Sequence, residues 1–158
     1  MHPRRAAGRR AGKGDAFVCP AARSAGTQVI RAKVAPAAHS ACAVIRAHDT
    51  GSDAYRTTVC AGRIAVDIDQ HGRTRTVAMS AIDPPAQPGA AGRSRAQPGA
   101  WHQIEIHTPG NGVTVTFDGD EVINRTRLPA LGRGAVSLGS GPGPGQASFA
   151  EVETSSVG

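Results

Sequence analysis

Apolar and polar residues alternate from Gln103 to Phe117, the period-two pattern of strands whose two faces meet different surroundings. Ile104 and Ile106 alternate with polar neighbours, Pro109-Gly110-Asn111-Gly112 supplies turn residues, and Val113, Val115 and Phe117 alternate again before the Asp118-Gly119 turn. A loop over 109–112 sets Ile106 opposite Val115 and Ile104 opposite Phe117 on one side of the ladder. That side is a core face. The other side pairs His107 with Thr114, Glu105 with Thr116 and Gln103 with Asp118, the composition of a solvated sheet surface.

The same reading extends upstream. Thr27 to Val34 forms a strand with Ile30, Ala32 and Val34 inward, and Pro36 ends it. Cys42 to His48 and Ala54 to Cys60 make a hairpin about Gly51, which sets Arg46 opposite Arg56, Val44 opposite Thr58 and Cys42 opposite Cys60. Ala61-Gly62 turns the chain into Arg63 to Asp69, with Tyr55 beside Ile68, Arg56 beside Asp67 and Val59 beside Ile64. One face of this meander is apolar: Ala43, Ile45, Ala47, Tyr55, Thr57, Val59, Ile64, Val66 and Ile68. A turn at Gln70-His71-Gly72 leads to a fourth strand, Arg73 to Ser80. Residues 83–100 lack periodicity, repeat the pentapeptide AQPGA, and read as a mobile connection. Gly134 to Gly139 and Ala147 to Glu153 supply the last strands, with a bulge or sheet change near Phe149 and Val152.

Many short strands, 20 Gly and 11 Pro in 158 residues, and almost no helix signal predict an all-β chain, a two-sheet antiparallel jelly-roll-like β-sandwich. Residues 27–158 form this domain and residues 1–26 a basic, largely disordered arm. Most of the formal charge of +6 lies in that arm. Without Arg4, Arg5, Arg9, Arg10 and Lys13 the chain has 13 basic against 12 acidic groups, about +1. No specific nucleic-acid partner is therefore expected. The amino terminus has no apolar run of the kind a secretory signal carries, and no stretch is long enough for membrane insertion. Read from Met1, the chain is cytoplasmic; a misassigned start or a longer parent protein would make it extracellular.

The order ACAVIRAHDTGSDAYRTTVCAGRIAVDID, PGAWHQIEIHTPGNGVTVTFDGDEVI, LGRGAVSLGSG and SFAEVE resembles the concanavalin A-like jelly roll, in particular laminin-G-like and 3-keto-disaccharide-hydrolase-type domains, from about residue 27 onward. The resemblance implies a sugar-active enzyme, a glycan or protein binder, or an ectodomain, and the matched motifs are core rather than chemistry. Glycosidases of this superfamily carry a Glu-x-Asp-x-x-Glu strand. Asp67-Ile68-Asp69 lacks both glutamates, and Glu151 with Glu153 lacks a third acid. Six scattered histidines show no metal-ligand spacing, so neither a metal nor a cofactor is expected, and no catalytic residue is assigned. The resemblance places Trp101 in the core, as the register does Tyr55 and Phe117.

What remains is a polar row on the outer face of the meander: Arg46, Arg56, Asp67 and, if the next turn has three residues, Arg75. Two arginines beside one aspartate leave net positive charge on an exposed surface, which suits an acidic sugar or another carboxylate. The expected function is a non-catalytic module for glycans or protein partners, part of an exported or cell-surface protein; the alternative is a hydrolase of the 3-keto-disaccharide type. Cys42 and Cys60, directly opposed, are within disulfide reach, and Cys19 stays free; two reduced thiols in a cytosolic chain are the competing reading.

Overall fold

The computed structural model describes residues 4–6, 9–10, 17–24, 27–36, 42–82, 101–141 and 147–157. Its strands are β1 (Arg4–Ala6), β2 (Arg9–Arg10), β3 (Phe17–Ser24), β4 (Thr27–Ala35), β5 (Ala43–Asp49), β6 (Ala54–Cys60), β7 (Arg63–Gln70), β8 (Arg73–Ala81), β9 (His102–Thr108), β10 (Val113–Phe117), β11 (Asp120–Arg125), β12 (Gly134–Ser140) and β13 (Ser148–Val157). One sheet runs β1-β13-β4-β9-β10-β11, with β2 also on β13; the other runs β3-β12-β5-β6-β7-β8. Every pairing is antiparallel. The chain is thus the expected two-sheet β-sandwich. Strand pairing also reaches into the segment assigned to the arm, because β1 and β2 lie on β13 and β3 lies on β12. The connection at 83–100 and the side chain of Cys19 lie outside the described residues.

The registers read from the turns hold. Ile106 faces Val115 and Ile104 faces Phe117, Arg46 faces Arg56, and Arg56 faces Asp67. Their inward residues form one core, in which Ile30, Val34, Ile104, Ile106 and Phe117 of the first sheet meet Ile45, Tyr55, Val59, Ile64 and Val66 of the second. Each such large side chain contributes on the order of 2 kcal/mol by leaving water. Cys42 and Cys60 are bonded, with Cα atoms 4.4 Å apart. The bulge expected near Val152 is present as a register shift between Ala150 and Glu153 in the β13–β4 ladder.

One turn differs from expectation. His71 and Gly72 alone, both at positive φ, close the β7–β8 hairpin, so Gln70 pairs with Arg73 and Arg75 pairs with Ile68. Thr76 takes the place beside Asp67 that a three-residue turn would have handed to Arg75.

Buried polar groups tie one end of the sandwich together. The His48 amide donates to Gln28 Oε1 at 2.9 Å, and Gln28 Nε2 donates to the Gly134 carbonyl at 2.9 Å, linking β4 to β5 and β12. The His48 ring lies between the carbonyls of Gly132 (2.8 Å) and Thr108 (3.2 Å). Tyr55 passes through the core to place its hydroxyl 2.6 Å from the carbonyls of Gly110 and Pro129, and burial pushes that phenol up to about 12.

Candidate ligand-binding site

Five neighbouring strands of the second sheet bring the polar row together. Strand parity puts Arg46 of β5, Arg56 of β6, and Asp67 and Asp69 of β7 on the outer face, with Ser137 of β12 opposite Arg46 and Thr76 of β8 opposite Asp67. Arg46 Nε donates to Asp49 Oδ2 at 3.2 Å and its Nη1 to Asp69 Oδ2. Arg56 Nη2 donates to Asp67 Oδ2 at 3.1 Å, and its Nη1 lies 3.8 Å from Asp69 Oδ2. Asp69 therefore sits between the two guanidiniums and offsets the repulsion of like charges paired directly across a ladder. Hydroxyls complete the array: Thr74 donates to Asp69 Oδ1 (2.6 Å), Thr76 to Asp67 Oδ1, and Ser137 to Asp49 Oδ2 (2.6 Å).

This geometry changes two expectations about the row. Arg46 and Arg56 keep only 23% and 31% of their side-chain surface exposed and Asp67 12%, so the row is half-buried rather than exposed. Two guanidiniums stand among three carboxylates, so the surplus is one negative charge rather than positive. The missed acids had unequal signals. Asp69 shares the parity of Asp67, whereas Asp49 reaches Arg46 only because the strand turns at His48, which has positive φ.

Burial raises the carboxyls of Asp49 and Asp69, but hydrogen bonds and charge outweigh it. For Asp49 these come from Ser137, the Gly51 amide and Arg46; for Asp69 from Thr74, Arg46 and Arg56, and both groups lie below the usual carboxylate range. Burial lowers Arg46, and its bonds to Asp69 and Asp49 more than reverse that, leaving it above the ordinary arginine value. All three stay ionised near neutrality. The array can accept and donate hydrogen bonds with planar groups held in fixed orientation, while neither Asp49 nor Asp69 carries a proton to give. Arg56 Nε is buried and has no hydrogen-bond partner among the described residues.

Trp101 departs from the core placement that the resemblance implied. It precedes β9 on the outer face of the first sheet and is 51% exposed. Beside it is a cleft of about 470 Å³ lined by Lys33, Gln103, His102, Asp118 and Glu151. Among the described residues no group of three or more His, Cys, Asp or Glu is arranged to hold a metal ion. No helix among them is long and apolar enough to cross a membrane.

No protein-family model matches the chain, and no curated protein matches its sequence. Solved structures do. The carbohydrate-binding module CBM66 from Bacillus subtilis superposes with a TM-score of 0.67 at 11% identity, over 98% of this chain and 95% of that one. The galectin LEC-6 from Caenorhabditis elegans gives 0.62 at 13% identity, over 94% and 95%. A structure described as a native glycosidic hydrolase gives 0.60 at 13%, over 84% of this chain and 66% of that one. At such identities the likeness carries the fold alone, a two-sheet antiparallel β-sandwich, and leaves binding or hydrolysis to be argued from side chains.

Proposed function

We propose that the chain is a non-catalytic carbohydrate-binding module whose ligand face is the outer surface of β5, β6, β7 and β8, and that its ligand is a neutral glycan. The observation that carries this reading is the array of Arg46, Asp49, Arg56, Asp67 and Asp69, half-buried and locked to one another on an open sheet face. A sugar presents adjacent hydroxyls that each donate and accept. Planar guanidinium and carboxylate groups at fixed spacing match such pairs bidentately, and side chains already held in place lose little entropy on binding. The excess of carboxylates argues against the acidic ligand that a bare pair of arginines would favour. The carbohydrate-binding module and the galectin among the structural neighbours support a glycan ligand in general. Hydrolysis of the 3-keto-disaccharide type is disfavoured at this face, because a glycosidic acid catalyst needs a carboxyl held protonated, and Asp49 and Asp69 are driven the other way. The buried Cys42–Cys60 bond supports an exported setting.

Arg56→Lys tests the reading, since it keeps the charge beside Asp67 but removes the planar fork. Affinity electrophoresis against soluble galactan, inulin, xylan and laminarin, with pectate as the acidic counterpart, is expected to show neutral-polysaccharide binding weakened about tenfold, roughly 1.4 kcal/mol, at unchanged fold. Equal binding by the variant, or retention by pectate alone, overturns it.

A further inference from the structure

The cleft beside Trp101 belongs to the other sheet. Lys33 and Gln103 are paired across β4 and β9 at outward, exposed positions, so the cleft opens on the face of the sandwich opposite the arginine–aspartate array. Among the described residues, Trp101 and Met79 are the large apolar side chains left exposed. An indole offers a flat apolar face and one N–H donor, and half of it stands in water beside the cleft.

The groups around the indole are mostly polar. His102 stacks on Phe117 with ring centroids 5.1 Å apart and donates from Nδ1 to Asp118 Oδ2 at 2.7 Å, while Asp118 Oδ1 accepts the Gln103 amide at 2.8 Å. The opposite wall is an exposed ion pair, Lys33 Nζ to Glu151 Oε2 at 3.1 Å. Glu151 reaches it from the β13 bulge at φ 51, a left-handed backbone that a non-glycine residue adopts at some cost. The volume of about 470 Å³ lies within the ordinary range for small-ligand clefts, and an aromatic plate with a few convergent polar groups is what such clefts use.

We infer that the Trp101 cleft is a second saccharide-binding site, in which the apolar C–H face of a neutral sugar ring lies on the indole and its hydroxyls meet Gln103, Lys33 and Glu151. The ligand class rests on the glycan-binding reading above; the location does not. A sugar fits this surface better than an apolar segment, because ion-paired Lys33 and Glu151 and the Gln103 amide border the indole and would be stripped of water by a purely apolar partner.

Trp101 is the sole tryptophan of the chain, so its emission reports this cleft and nothing else. Intact protein is titrated with the four neutral polysaccharides named above while intrinsic fluorescence is followed, in the parent and in Arg56→Lys. The inference expects a blue shift with at least one of them, saturating at the same concentration in both proteins. Gln103→Ala, which alters an exposed side chain and keeps the reporter, is expected to raise the half-saturation point about tenfold. Emission that stays constant while affinity electrophoresis still shows Arg56-dependent retention overturns the second site and leaves the first intact. A shift that disappears in Arg56→Lys also overturns it, because the indole then reports the other face. A shift in both proteins without Arg56-dependent retention overturns the array and leaves the cleft. The absence of both signals overturns both.

Discussion

Reducing the Cys42–Cys60 bond opens a covalent loop with a sequence separation of 18 residues, and nothing else in the folded chain need change. In the chain-entropy description the closed loop restricts the unfolded ensemble, and for a loop of this length the restriction is worth about 3 kcal/mol. A chain of this size loses roughly 2–4 °C of Tm per kcal/mol, so the reduced protein should melt about 10 °C lower. The cysteines are 3% and 1% exposed, so a thiol reagent reaches them only through opening of β5 from β6. Reduction therefore has to be carried out in denaturant, followed by refolding with the thiols blocked by a small alkylating group, or replaced by the double variant Cys42→Ala/Cys60→Ala. Urea titrations of both forms read two quantities. Stability should fall by the stated amount, and the m-value should rise, because the uncrosslinked unfolded chain exposes more surface. A loss below about 1 kcal/mol at constant m would refute the reasoning. It would mean that the β5–β6 hairpin persists in the unfolded chain and already holds the two cysteines together.

Two further outcomes follow from single positions. A Cβ added at Gly134 would lie 2.3 Å from the His48 carbonyl carbon and 2.5 Å from the Asp49 nitrogen, both backbone, so Gly134→Ala should cost about 3 kcal/mol in urea unfolding, while Gly132→Ala, with nothing within 4 Å, should cost almost nothing. Asp69 is held below its unfolded value, so it adds stability above the unfolded carboxylate pKa of about 4, and that contribution is lost as pH falls through the folded value. Asp69→Asn should therefore be less stable than the parent at neutral pH and show a shallower acid limb in urea melts from about pH 6 to pH 2; parallel limbs would remove the assignment.

Registers set by short turns were legible from local residues. Gly51 and Gly62 at positive φ leave no slack in their hairpins, and each one-residue slip would have turned an apolar face to water. The β7–β8 turn was less determined, since Gln70-His71-Gly72 accommodates two or three loop residues, and the difference moved Arg75 out of the row. Trp101 was misplaced for another reason. Its parity with Gln103 and Glu105 already put it on the outer face, and the family resemblance overrode that local signal. The ion pairs of Asp49 depended on the backbone at His48 and on Ser137 from a distant strand, neither of which strand periodicity encodes.

Arg75 has a consequence of its own where the turn leaves it. Among the described residues β8 is the outer strand of its sheet, with one row of amide and carbonyl groups facing no neighbour within that sheet. Such a rim invites a strand from another molecule, which is how sheets stack into fibres. Arg73 and Arg75 are both exposed on this strand, and two copies meeting rim to rim would bring their arginines within on the order of 5 Å across the new ladder. Arg75, displaced from beside Asp67 by the tight turn, thus makes self-association at this border costly.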